Sequence, residues 1–256
     1  MKTILSYLLL LSFTASPPAF AETPPKPTKE LHLITGESPP YMSESMKDQG
    51  AAVWALRKIF AKMGYTLVID FAPWTRAKIT AAKSDTIDGF FPYSDQDVPN
   101  FIYSDIVSET PWVIIQRKDK PIHWSKFSDL SPYTAGNVVG IELRPGIKEL
   151  YEAKKLNIET TTSDVSNLLK LANKRVDMIF MDATVFQYSM AKEKELQPYR
   201  GKLEINAKPI LVNKYGIALK NTPRNAAIMK EFNRHVNPQE FAKDVESYLT
   251  HGNQHP

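Results

Sequence analysis

The sequence predicts an α/β protein built as two lobes joined by two extended crossings. Three observations carry that expectation. Short apolar, strand-like runs alternate with amphipathic helical stretches, the pattern of a mainly parallel sheet with helices on its faces. The alternation runs twice, and extended apolar segments near residues 112–118 and 207–214 separate the two passes. There is no cysteine, so the 43% of hydrophobic residues must hold the fold through an ordinary core.

The elements follow in order. "LHLITG" (31–36) is an apolar strand ending in the loop "GESPPY". From Gly50 to Met63, apolar residues recur at helical spacing (Val53, Leu56, Ile59, Phe60, Met63), and Gly64 is placed to stop that helix. "YTLVIDFAP" is a strand, "WTRAKITAAKS" a helix after Pro73, and "TIDGFFPY" a strand. In the second pass "PWVIIQRKD" is a strand, and "KPIHWSKFSDL" a crossing segment with a short helix. "NVVGIEL" is a strand, and "RPGIKELYEAKKL" a helix with its proline at an early position. "IETTTS", the capped helix "DVSNLLKLANKR", the strand "VDMIFMD" and the helix "ATVFQYSMAKEKEL" complete it. "LEINAKPILVNKYGIALK" returns as extended chain, and two helices close the sequence. Lobe 1 is then discontinuous, 30–114 and 212–256, with lobe 2 at 115–211. No short-period repeat is present, which excludes a solenoid.

The ends and totals bound the function. "MKTILSYLLLLSFTASPPAFAET" has a basic start, an apolar run and Ala19-Phe20-Ala21 as a small-x-small cleavage site, so residues 1–21 form a cleavable secretory signal. Residues 22–29 follow as a proline-rich leader. Cleavage leaves 235 residues and lowers the formal charge from +4 to +3, because Lys2 is the only charged residue removed. The small, dispersed excess gives no support to nucleic-acid binding. Without cysteine there is no lipid anchor, and the periplasm is the expected location.

Five stretches, taken in order, resemble the family 3 extracellular solute-binding proteins of the polar-amino-acid-binding type. They are "LHLITGESPPY", "GAAVWALRKIFAKMGYTLVIDFAPWTRA", "DGFFPYS" with "FIYSD", "VVGIELRPG" and "KRVDMIFMDATVFQY". "PWTRA" and "DGFFPYS" look like a divergent branch of that family. The resemblance implies a type II periplasmic binding fold that closes on a small molecule held between the lobes.

It also implies site residues. In the amino-acid binders a Thr-x-x-Arg element precedes a Phe-Ser pair, and its arginine clamps the ligand carboxylate. Here Tyr103-Ser104-Asp105 stands at the Phe-Ser place, Asp97 falls where the arginine would be, and no arginine lies between Arg76 and Arg117. A bidentate clamp cannot come from this loop. Arg76, just after Trp74 near a helix start, is the expected substitute, with Trp74 stacking on the ligand; the plainer reading is a core tryptophan and a solvated arginine. Asp182 matches the aspartate that receives the ligand ammonium, although a helix N-cap would require the same residue type. Tyr41 matches an aromatic placed over the ligand, or packs a rigid proline turn. Phe91 and Tyr93 suit an apolar wall, with Phe90 turned to the core. Glu37, Glu142 and Arg144 fall in loops at the expected cleft edge.

No catalytic constellation emerges. No His-Glu-x-x-His metal motif, nucleophile elbow or phosphate-cradling loop is present, and Ser189-x-x-Lys192 lacks its companion motifs. "SDQD" lacks the glycine and terminal glutamate of a calcium loop. No cofactor, metal or enzymatic activity is implied. The expected partners are a small-molecule ligand and an inner-membrane permease, or alternatively a membrane sensor, for a monomeric binding protein. A degenerate fold used for protein–protein contact is the remaining alternative.

Overall fold

The computed structural model describes residues 29–94 and 98–251. The expected signal, the leader up to residue 28 and Asp97 lie outside the described residues.

Lobe 1 begins with β1 (Lys29–Thr35), α1 (Ala51–Lys62), β2 (Tyr65–Phe71), α2 (Trp74–Lys83), β3 (Gly89–Tyr93) and β4 (Phe101–Tyr103). β1 pairs in parallel with β2 from Lys29↔Tyr65 to Thr35↔Phe71, and with β3 at Leu33↔Gly89. α1 turns Val53, Leu56 and Phe60 into the core at full burial, as the 3.6-residue spacing dictates. It ends where Gly64 takes φ +76°, a left-handed conformation that costs glycine little.

The start of α1 has no side-chain cap. Its first N–H groups donate instead to the preceding turn, Ala51 to the Pro40 carbonyl (3.0 Å) and Ala52 to that of Tyr41 (2.9 Å). Gly50, at φ +100°, makes this possible, because a Cβ there would stand 2.5 Å from the Tyr41 carbonyl oxygen. The Pro39-Pro40-Tyr41 segment is thereby tied to the helix end, which fixes where Tyr41 points.

Lobe 2 contains β5 (Ser108–Arg117), β6 (Thr134–Val138), α3 (Ile147–Glu152), β7 (Asn157–Thr161), α4 (Asp164–Ala172), β8 (Met178–Asp182), α5 (Ala183–Lys192) and β9 (Leu203–Ile205). β6 runs parallel to β7 and β8, and β5 joins β8 antiparallel from Trp112↔Asp182 to Gln116↔Met178. Two buried clusters cover the two faces of this sheet, one around Ile115, Leu168 and Ile179, the other around Ile114, Ala135 and Phe180.

β10 (Leu211–Lys220) links the two sheets. Leu211 to Tyr215 pair with β5, whereas Gly216 to Leu219 pair with β3. The strand exchange therefore falls at Tyr215–Gly216, and on the other crossing just before Trp112. α6 (Pro223–His235) and α7 (Pro238–His251) return to lobe 1, where Phe232 meets Phe60 at 5.1 Å and Tyr248 meets Trp54 at 5.9 Å.

One local expectation needs correction. Pro145 is not inside the first turn of α3. Gly146 precedes the helix at φ +84°, outside helical space, and a Cβ there would stand 2.3 Å from the Phe127 ring. The loop's approach to Phe127 decides the helix start.

Candidate functional site

A cavity of about 510 Å³ lies between the lobes. Lobe 1 contributes Tyr41, Trp74, Lys78, Phe91 and Ser94 to its wall; the crossing strands contribute Thr110, Trp112 and Tyr215; lobe 2 contributes Gly140, Glu142, Arg144 and Asp182. Six residues singled out in the sequence thus meet at one cavity: Tyr41, Trp74, Phe91, Glu142, Arg144 and Asp182.

Each is placed by a local cause. Trp74 opens α2 and lies over Gly36, whose missing side chain leaves the space; a Cβ there would be 2.4 Å from the indole. The indole N–H donates to the Glu37 carbonyl at 3.1 Å. Asp182 ends β8 and caps α5, its Oδ1 accepting from the N–H groups of Thr184 (2.8 Å) and Val185 (3.1 Å). The cap and the cavity wall are the same residue. Burial pushes the Asp182 carboxyl up, outweighing the nearby Thr110 hydroxyl, those two N–H groups and the Tyr41 hydroxyl.

The two lobes touch directly around the cavity. Gly140, at φ +85°, comes so close to α2 that a Cβ would stand 2.7 Å from the Thr75 nitrogen. Lys78 pairs with Glu142 at 2.5 Å. Arg144 donates from Nη1 to Ser94 Oγ at 2.9 Å, and its guanidinium lies 5.2 Å from the Trp112 ring centre. The Tyr215 hydroxyl stands 3.5 Å from Arg144 Nη2, at the limit of a hydrogen bond, and accepts from the Asn213 amide at 2.8 Å. Tyr41 reaches across to Asp182 Oδ1 at 3.5 Å. Burial, then the Asp182 charge, raises the Tyr41 hydroxyl's pKa.

Two polar atoms at this wall are buried without a hydrogen-bond partner, Arg144 Nε and Thr110 Oγ1. Thr110 lies near both Asp182 and Tyr215 but closes a bond with neither. Such orphans cost about 1–3 kcal/mol each when nothing satisfies them. A second carboxyl, Asp164 at the start of α4, is held up at about 6 by burial and then by the Asp182 charge.

The remaining expected residues sit elsewhere. Arg76 is exposed on α2, outside the cavity lining. Glu37 is exposed, and its carboxylate accepts the Glu44 N–H at 2.9 Å. Tyr93 stacks on Tyr103 at 3.9 Å, also outside the lining. Phe90 packs with Phe101 and Ala77 in the core, as its alternation with Phe91 predicts. Sequence reasoning missed Lys78, Ser94, Thr110, Trp112 and Tyr215. Lys78 stands four residues after Trp74 and so on the same helix face, a signal that was available. Thr110, Trp112 and Tyr215 lie on the crossing strands, where the face that meets the cleft depends on register.

The comparisons with known proteins agree with this architecture. No family model and no curated protein sequence matches the chain. Among solved structures, the GluR0 ligand-binding core from Nostoc punctiforme in complex with L-glutamate is similar at 19% identity. The match covers 86% of this chain and 98% of that one, with a TM-score of 0.67. An arginine-binding protein from T. maritima, in its P235GK mutant form, is similar at 18% identity (86% and 95% covered, TM-score 0.65). An arginine transport periplasmic binding protein from Legionella pneumophila is similar at 23% (88% and 99%, TM-score 0.62). This is the two-lobed fold of the type II periplasmic binding proteins. The resemblance read from the sequence therefore holds at the level of fold, and in that fold the cavity described above occupies the cleft between the lobes.

Proposed function

We propose that the protein is a periplasmic solute-binding protein that closes its lobes on a small carboxylate-bearing, amino-acid-like ligand and presents the closed form to an inner-membrane permease. The observation that carries this reading is the buried, unpartnered Nε of Arg144 in a cavity walled by both lobes. A carboxylate there satisfies the guanidinium, and Thr110 Oγ1 offers a further hydrogen bond. Arg144 on lobe 2 takes the role of the arginine that the loop before Tyr103 lacks. Tyr41, Thr184 and Val185 all meet Asp182 at Oδ1, and the carboxylate's other oxygen is the one proposed to receive a ligand ammonium. Trp74, Trp112 and Phe91 wall the apolar part. The solved structures that share the fold were obtained with L-glutamate or named for arginine, which supports an amino-acid-like ligand.

Binding rather than turnover is the chemistry the site supports best. Asp182 is engaged as a helix cap, and among the described residues of the cavity wall no nucleophile is paired with a base.

The test is a melting-temperature screen of residues 22–256 with amino acids and small carboxylic acids, followed by calorimetric titration. A ligand at one hundred times its Kd adds about 2.7 kcal/mol, which is visible as a shift. Arg144→Ala is expected to weaken the ligand about 10- to 100-fold, the cost of a charged hydrogen bond. Full affinity in that variant, or no shift with any compound, overturns the reading.

A further inference from the structure

The cavity is larger than the group of polar residues that would hold an amino-acid head. Its wall continues along one face of α7 through Phe241, Ala242, Val245, Glu246, Leu249 and Thr250. These residues recur at helical spacing, so they form a single stripe. Ala52 and Met42 of lobe 1 and Val185 of α5 line the same space. Phe241 packs inward, whereas Ala242 is exposed and Leu249 half-buried, and neither belongs to a core cluster of lobe 1. Phe241 and Val245 anchor the stripe in the lobe 1 core, while Ala242 and Leu249 stand outside that cluster and carry the apolar surface that lines the cavity.

Charge is distributed unevenly along this space. Lys78 and Arg144 are the only cationic side chains in the described lining, and both belong to the wall around Gly140 and Glu142. The lining also includes Glu246 on α7 itself and Glu109 on β5, the latter 3.9 Å from Lys214. A carboxylate is attracted to Arg144 and repelled from the α7 stripe. An uncharged apolar chain meets Ala242, Val245 and Leu249 with no charge to desolvate, and leaving water favours its burial there. A volume of about 510 Å³ also falls within the range of roughly 300–1,000 Å³ typical of drug-sized ligands.

We propose that the α7 stripe is a second compartment of the binding site, which takes an unbranched apolar extension of a ligand whose carboxylate is held at Arg144. The inference rests on the proposed carboxylate-binding reading and adds the ligand class, an amphiphilic amino-acid-like carboxylate. α7 then belongs to the specificity machinery and not only to the lobe 1 scaffold.

The experiment titrates the protein with one homologous series of α-amino acids: alanine, norvaline, norleucine, 2-aminooctanoate and 2-aminodecanoate. Affinity is expected to rise about fourfold for each methylene that enters the compartment. Ala242→Trp, at an exposed position, fills the space, and Leu249→Asp makes its wall polar. Each is expected to flatten the rise, and melting curves confirm which variants are folded. Equal affinity for short and long members, or a rise that persists in the folded variants, overturns the compartment while the carboxylate-binding reading stands. Absence of binding by every member, short ones included, overturns both.

Discussion

The two lobes bring different chemistry to the same cavity. Lobe 1 supplies mainly aromatic surface, with Tyr41 tied to the start of α1, Trp74 seated on Gly36, and Phe91 continuous with the lobe 1 core. Lobe 2 supplies Glu142, Arg144 and Asp182. The one cation that lobe 1 brings to the described lining, Lys78, is already paired with Glu142. In the resemblance read from the sequence, lobe 1 carries the carboxylate clamp. Here the guanidinium that reaches the cavity comes from lobe 2. Under the proposed function, lobe 1 shapes the ligand's apolar body while lobe 2 selects its charge.

The comparison can be broken most directly at Phe91. It is 3% exposed and shared between core and cavity, so Phe91→Ala is expected to destabilise the protein by about 3–5 kcal/mol in chemical denaturation. Arg144→Ala should leave the denaturation midpoint nearly unchanged and act on affinity alone. If both variants lose stability equally, the division of labour between the lobes fails.

Closure is the next lever. Gly140→Ala adds a Cβ toward the Thr75 nitrogen at a left-handed position, which by itself costs a non-glycine residue about 1–2 kcal/mol. The expected result is an affinity loss of about tenfold or more, with a larger radius of gyration by X-ray scattering. An unchanged radius would show that Gly140 does not gate the approach of the lobes.

Asp164 tests the charge of lobe 2 through pH. Its carboxyl titrates at about 6 in the folded protein against about 3.9 in an unfolded chain. Between those values the folded state keeps a proton that the unfolded state has lost. This group's contribution to stability is full below pH 4 and declines as pH rises to 6. Asp164→Asn is expected to remove that decline, so the variant gains melting temperature relative to the parent at pH 7 but not at pH 4. Equal differences at both pH values would rule the assignment out.

The smallest effect belongs to the cross-lobe ion pair. Lys78 and Glu142 are each about one-third exposed (34% and 32%), so a double-mutant cycle should give a coupling of only about 0.2–1 kcal/mol, weakening with salt. A coupling of several kcal/mol would make the pair a ligand-independent latch.

The sequence by itself determined the order of strands and helices, the termination of α1 at Gly64, and the position of Asp182 at a strand end ahead of a helix. All of these are local, set by side-chain period, capping and the backbone freedom of glycine within a few residues. It also brought Tyr41, Trp74, Phe91, Glu142 and Arg144 into consideration, because loops after strands face the cleft in this class of fold. Tertiary structure alone puts Arg144, and not Arg76, in the cavity lining. Both are arginines next to an expected cleft, and only the docking of the β6–α3 loop against α2 brings one of them to the cavity wall. The same holds for Thr110, Trp112 and Tyr215, whose orientation follows from the register of β5 and β10. It holds again for α7, which reaches the cavity only because it packs beside α1, almost two hundred residues away in the chain. Such contacts depend on how sheets align and lobes meet, and no local pattern of residues encodes that distance.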